Sequence, residues 1–270
     1  MNKKTALHLL LSALLFSAAA AQAQEQSSDA KGIKTTVYTI DSDGEQIVQP
    51  ALTQHPISSQ LSRGVPMDSN IPEEVKNQMG EDMNFISTLQ GSGATKFHSK
   101  IFGQVDGKTY MNYFTSRVKS IGLNSCGGPN SMAVACVIPF MDSSKMWITK
   151  NYMNFNHPQI ARLMVVFHEA RHTESGNGNW PHATCPTPYT IDGHEVNSIW
   201  TGSSLAGEPA CDSTPFGAYG SSVVMLKNIE KFCSNCTGKV QADAGIYADD
   251  QFKRIIDPKA RQEMTADLYQ

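Results

Sequence analysis

The chain has 270 residues, a net charge of −3 and a pI near 6.2, with acidic and basic side chains mixed along its length. That balance offers no basic stripe to a phosphate backbone, so nucleic acid is excluded as a partner. Beyond the N-terminal leader no stretch approaches the ~20 apolar residues a membrane-spanning helix needs, so no membrane span is expected.

Residues 1–23 read as a signal peptide. Lys3 and Lys4 supply the positive end, an apolar run over 9–21 supplies the core, and Ala21-Gln22-Ala23 fits the small-x-small cleavage site. The expectation is an exported chain, periplasmic or secreted. Residues 24–95 read as an N-terminal extension or pro-segment, and 96–270 as the catalytic domain. The extension carries a short strand candidate over 35–40, a turn at 41–44 and a linker punctuated by Pro50, Pro56 and Pro66.

The six cysteines are even in number, which in an exported chain points to disulfides. The favoured pairings are Cys126–Cys136, closing a short loop, and Cys185–Cys211, tying together the later polar region. Cys233-Ser-Asn-Cys236 reads as forming or sharing structural disulfides, ahead of a redox pair or metal ligands.

Apolar residues at three- and four-residue steps predict a helix over 72–89, with Val75, Met79, Met83, Ile86 and Leu89 on its inner face. A second is predicted over 109–121, facing inward with Tyr110, Tyr113, Phe114, Val118 and Ile121. Residues 133–141 read as a buried strand, and 146–155 as a more polar strand at a sheet edge. Later helices are predicted over 221–232, 248–256 and 259–269.

Residues 158–174 read P-Q-I-A-R-L-M-V-V-F-H-E-A-R-H-T-E. Pro158 suits the first helical position, after Asn156 or His157 as cap, and Gly176 and Gly178 are stop signals. The helix is apolar on nearly all sides and so is expected to be buried. At its end His168 and His172, four residues apart, project from one face, where two imidazoles can grip one zinc ion while Glu169 reaches a water. A buried helix does not carry two His, a Glu and an Arg without a use for them.

This H-E-x-x-H arrangement resembles the zincin zinc metallopeptidases. The longer pattern, with C-D…G-A-Y-G at 211–220, is similar to secreted bacterial proteins of metallopeptidase type. The resemblance implies an α+β, zincin-like fold, with a small sheet packed on the active-site helix and disulfides stabilising it. It implies one Zn2+ per chain, a peptide or protein substrate and a working monomer. It also implies that the edge strand before the helix, here 146–155, pairs with an extended substrate.

A catalytic zinc takes three protein ligands and one water. His182 is favoured as the third, ten residues after His172, over Asp212 and over Glu195. The stretch from Asp212 to Tyr219-Gly220 loosely resembles elements of deuterolysin-type peptidases, with longer spacing. Glu169 is the expected general base, and Tyr219 a candidate donor to the oxyanion. His194 is read as a surface or outer histidine, and Arg171 as facing away and pairing with Glu174 or Asp212. Two rival functions are an envelope zinc amide hydrolase acting on peptidoglycan, and a zincin-shaped binding or toxin-like module without catalysis.

Overall fold

The computed structural model describes residues 38–40, 46–48, 64–154 and 156–270. The expected signal peptide, the turn at 41–44, and Pro50 and Pro56 lie outside them. In the N-terminal unit, β1 (Tyr38–Ile40), part of the strand expected over 35–40, pairs antiparallel with β2 (Gln46–Val48). The larger unit covers residues 56–270.

Helix α1 (Glu73–Ser87) carries Glu73 and Glu74 in its first turn, complementing the helix dipole, and buries Val75, Met79, Met83 and Ile86. The boundary expected at residue 95 falls inside the larger unit, where these residues share one core with the histidine-bearing helix over 159–172. A cut there would strip that core of a wall. Helix α2 (Lys96–Ile101), too short to show periodicity, follows Thr95, whose side chain accepts from the His98 amide.

Helix α3 (Gly107–Arg117) starts at Asp106, whose carboxylate accepts the Thr109 amide at 2.8 Å. It stops four residues short of the expected end. Val118 turns extended and Ile121 is buried within β3 (Ser120–Leu123), where a β-branched residue packs well. The expected strand over 133–141 is β4 (Ala135–Ile138) followed by the single turn α4 (Pro139–Asp142). Strand β5 (Ser143–Ile148) then starts earlier than expected, and α5 (Lys150–Met153) takes up residues assigned to that strand.

The sheet order β3-β5-β4 corrects the sequence reading. β5 is central, parallel to β3 and antiparallel to β4, so both its edges are already hydrogen-bonded. It cannot receive a substrate strand. The outer side of β3 bonds to residues 66–68, which leaves β4 as the open edge of this sheet among the described residues.

Helix α6 (Gln159–His172) runs through the middle of the unit. Pro158 caps it rather than opening it, and no side chain assists. Every residue from Ile160 to Arg171 is buried. The helix touches β4 and β5, the helices α1 and α3, and two later helices, α7 (Ala218–Phe232) and α8 (Gly238–Lys253). Such encirclement explains the apolar run around the whole helix. Arg162 survives there because Asp82 meets it with two bonds of 2.7 Å. Helix α9 (Pro258–Leu268) and a small hairpin of β6 (Thr190–Ile191) and β7 (His194–Glu195) complete the unit.

The architecture is thus mixed α and β, with small sheets. Cys126–Cys136, Cys185–Cys211 and Cys233–Cys236 are disulfides, in agreement with the expected pairings and with an oxidising compartment. No helix among the described residues is long and apolar enough to cross a membrane.

Candidate metal centre

The last turn of α6 presents His168 and His172 from one face, and a short loop brings the chain back to them. Gly178, Asn179 and Trp180 all have positive φ, which turns the backbone sharply after the helix. Glu174 holds this loop. Its carboxylate accepts from Trp180 Nε1 at 2.8 Å, Asn177 Nδ2 at 3.0 Å, Arg117 Nε at 2.8 Å and Arg171 Nη1 at 2.7 Å. Burial pushes the Glu174 carboxyl up, but the bonds from Trp180 and Arg117 and the Arg171 charge outweigh it and hold the pKa below its ordinary value. Arg171 therefore faces away from the histidines and pairs with Glu174, as expected.

The chain then delivers His182. Ala183 exchanges two backbone bonds with Cys211, at 2.7 and 3.1 Å, and the Cys185–Cys211 disulfide closes the same ladder. Three imidazoles now converge. The Nε2 atoms of His168 and His182 are 3.3 Å apart, those of His172 and His168 3.3 Å, and those of His172 and His182 3.1 Å.

Their outer nitrogens decide where the protons sit. His172 Nδ1 donates to the Asn179 carbonyl at 2.9 Å, and His182 Nδ1 to Asp212 Oδ1 at 3.1 Å. His168 Nδ1 lies 3.4 Å from the Ser222 hydroxyl, whose own proton goes to the Ala218 carbonyl. With Nδ1 protonated, all three Nε2 atoms point lone pairs at one place. Burial lowers His168 well below the ordinary range and His172 to about 4, with neighbouring histidines adding to it, so both rings stay neutral.

Three lone pairs this close repel unless a cation sits between them. Nitrogens ~2.1 Å from a tetrahedral ion are ~3.4 Å apart, so the donor set fits zinc. His168, His172 and His182 are the one group of three candidate ligands found among the described residues. Asp212 joins the site in a different role from the rival ligand considered above, orienting His182. Its other oxygen accepts the amides of Tyr219 at 2.7 Å and Gly220 at 3.1 Å, at the start of α7. Gly217 makes room, since a Cβ there would sit 2.3 Å from that oxygen. Glu195 and His194 are exposed on β7, where Glu195 bonds to Ser204, away from the cluster.

Glu169 lies one residue round the helix, 4% exposed, and its Oε2 has no hydrogen-bond partner. Burial raises its pKa to about 8, against a smaller pull from the Val137 backbone. Glu169, His168 and His182 open onto one cavity of about 720 Å³, whose far walls are the loops around 126–135 and 198–210. Tyr219 stacks on His182 with ring centres 4.5 Å apart, and its hydroxyl accepts from Arg254 Nη1 at 3.0 Å. Arg254, on no motif, was invisible to sequence reasoning.

No protein-family model, curated protein or solved structure matches this chain.

Proposed function

We propose that this chain is a zinc-dependent peptidase of the zincin kind, exported and acting on peptide bonds. One observation carries the reading: three imidazole Nε2 atoms converge to within 3.3 Å of one another beside a buried carboxyl with an unpartnered oxygen, on the wall of one cavity. His168, His172 and His182 would hold the metal. Zinc, when bound, polarises a carbonyl and lowers the pKa of water toward ~7.

The remaining steps belong to the chain. Burial raises the Glu169 carboxyl to about 8, close to the working pH, which suits a group that must both take up and give back a proton. Glu169 takes a proton from the attacking water as the new C–O bond forms, then gives it to the amine as C–N breaks. Tyr219 has its pKa raised by burial, so its hydroxyl stays protonated and can donate to a developing oxyanion. Asp212 keeps the His182 ring oriented throughout. An extended substrate would pair with the open edge of β4, because Val134 and Ala135 line the cavity.

Elemental mass spectrometry and peptide cleavage on the same preparations test the reading. The expected result is about one zinc per chain and cleavage that Glu169→Gln abolishes with zinc retained. Cleavage surviving in Glu169→Gln, or no zinc after reconstitution, would sink it.

A further inference from the structure

Three arginines are buried in the described residues, and two of them have carboxylates. Arg162 meets Asp82 at 2.7 Å and Arg171 meets Glu174 at 2.7 Å. The buried Lys227 likewise meets Glu230 at 2.8 Å and Asp249 at 3.0 Å. Arg254 is the exception, only 5% exposed, with no carboxylate at ion-pair distance among the described residues. Its Nη1 reaches the Tyr219 hydroxyl at 3.0 Å and, more distantly, the Ala210 carbonyl at 3.4 Å, and its Nε has no partner. The buried Asp250, one turn earlier on α8, feels the Arg254 charge but stands beyond ion-pair distance, so the guanidinium is buried without a bonded anion, which is costly and calls for an explanation.

Its position supplies that explanation. Arg254 lines the same cavity as Glu169 and His182, and is the one arginine or lysine among the lining residues. Its head group lies over the Tyr219 ring, 4.6 Å from the centre, and that ring in turn stacks on His182. The cation therefore stands one tyrosine away from the three histidines. Trp200 lines the cavity too, and its buried indole N–H is also without a partner. Both orphaned atoms are donors and call for acceptors, and the acceptor that also balances a buried guanidinium is an anion.

We propose that Arg254 binds a substrate carboxylate, so that the preferred substrate presents one beside the bond that is cut. The proposal rests on the peptidase reading above for its cleavage arm only. An acidic side chain and a free C-terminus offer the same carboxylate, and a guanidinium fork takes either.

The experiment uses the full zinc-loaded chain and one random peptide library in three forms. These have free C-termini, amidated C-termini, and Asp and Glu replaced by Asn and Gln. Peptides retained by immobilised Glu169→Gln protein are read by mass spectrometry, the best are titrated against their amide twins, and all three libraries are digested with wild-type protein. The expected result is binding weakened about 30-fold or more when the carboxylate becomes an amide, and the same loss in Arg254→Gln. Arg254→Lys should keep part of the preference. Loss on amidation alone assigns the C-terminus, and loss on Glu-to-Gln exchange assigns a side chain.

Equal binding and cleavage of acid and amide forms would overturn the carboxylate site while leaving the peptidase reading intact. Acid-selective binding without any cleavage would do the reverse. Should Arg254→Gln fail to fold, Arg254→Lys, which keeps the charge and loses the fork, carries the assignment, and an acid preference unchanged in it would overturn the Arg254 site.

Discussion

His182 depends on a single carboxylate for its orientation, and that carboxylate is itself fixed from three sides. Asp212 spends Oδ1 on His182 and Oδ2 on the first amides of α7, so its charge is also favoured by the helix dipole. Asp212→Asn should therefore leave the fold standing and weaken zinc affinity by ~10–100-fold, measured by titration against a chromophoric chelator. Affinity unchanged in the variant would mean that the Ala183–Cys211 ladder positions the ring without help. A second residue-scale case is His98, fully buried between the Gly103 carbonyl, 3.1 Å from Nδ1, and the Tyr110 hydroxyl, 2.8 Å from Nε2. Burial lowers its pKa from 6.5 to about 4, against smaller opposing effects from Gly103 and Asp106. The unfolded chain therefore takes up the proton first. This contribution is full above pH 6.5 and disappears as the pH falls through about 4, with a size on the order of 3 kcal/mol. Urea unfolding midpoints across pH 4–7 should fall less steeply in His98→Gln than in wild type, and parallel curves would remove His98 from the acid response.

At the scale of elements, α6 was the most legible part of the chain and the sheet the least. A dense apolar run from Ile160 to Phe167, broken only by Arg162, is enough to say that a helix is encircled, and the i,i+4 histidines state their own geometry. Residues 143–148 carry no comparable statement. Whether a strand is central or at an edge depends on which partners arrive, and β3 arrives only because Val118 ends α3. Asp212 stands out in the sequence as a rival to His182 for the third ligand position, and its bond to the His182 ring is not legible there because it is set by the route of the chain through Cys211. The cost of burying charge in α6 can be tested directly. Asp82→Ala leaves the Arg162 guanidinium without its two 2.7 Å bonds in the core, which should destabilise the fold by about 3–5 kcal/mol. Chemical denaturation reads this as a lower midpoint at unchanged slope. A loss under ~1 kcal/mol would show that the bond Arg162 Nη1 already makes to the His157 carbonyl at 2.6 Å, with local rearrangement, is enough to hold the guanidinium.

At the scale of the whole molecule, the site draws its three histidines from two separately packed regions. His168 and His172 ride on a helix buried in the main core, whereas His182 belongs to a loop region with its own small cluster around Cys185, Tyr189, Val196, Leu205 and Cys211. Links that cross between them include the Asp212 carboxylate bonds to α7, the backbone bonds of Asp212 to Arg254 and Ile256, and the bond from the Tyr189 hydroxyl to the Lys253 carbonyl. A metal at the three nitrogens would add one more link, and its binding energy would count toward stability. The Cys185–Cys211 bridge, spanning 26 residues, limits how far the loop region opens in the unfolded chain and holds the Ala183 ladder in the folded one. Its removal should therefore act on the site and the fold together. In Cys185→Ser/Cys211→Ser, thermal unfolding of chelator-treated protein should show a loss of about 2–4 kcal/mol. Zinc added back should recover part of the loss, with weaker affinity than wild type, because the ion must now order the loop as it binds. A double variant that loses stability yet binds zinc with wild-type affinity would separate the two roles, and would leave the Asp212 link as sufficient to bring His182 home.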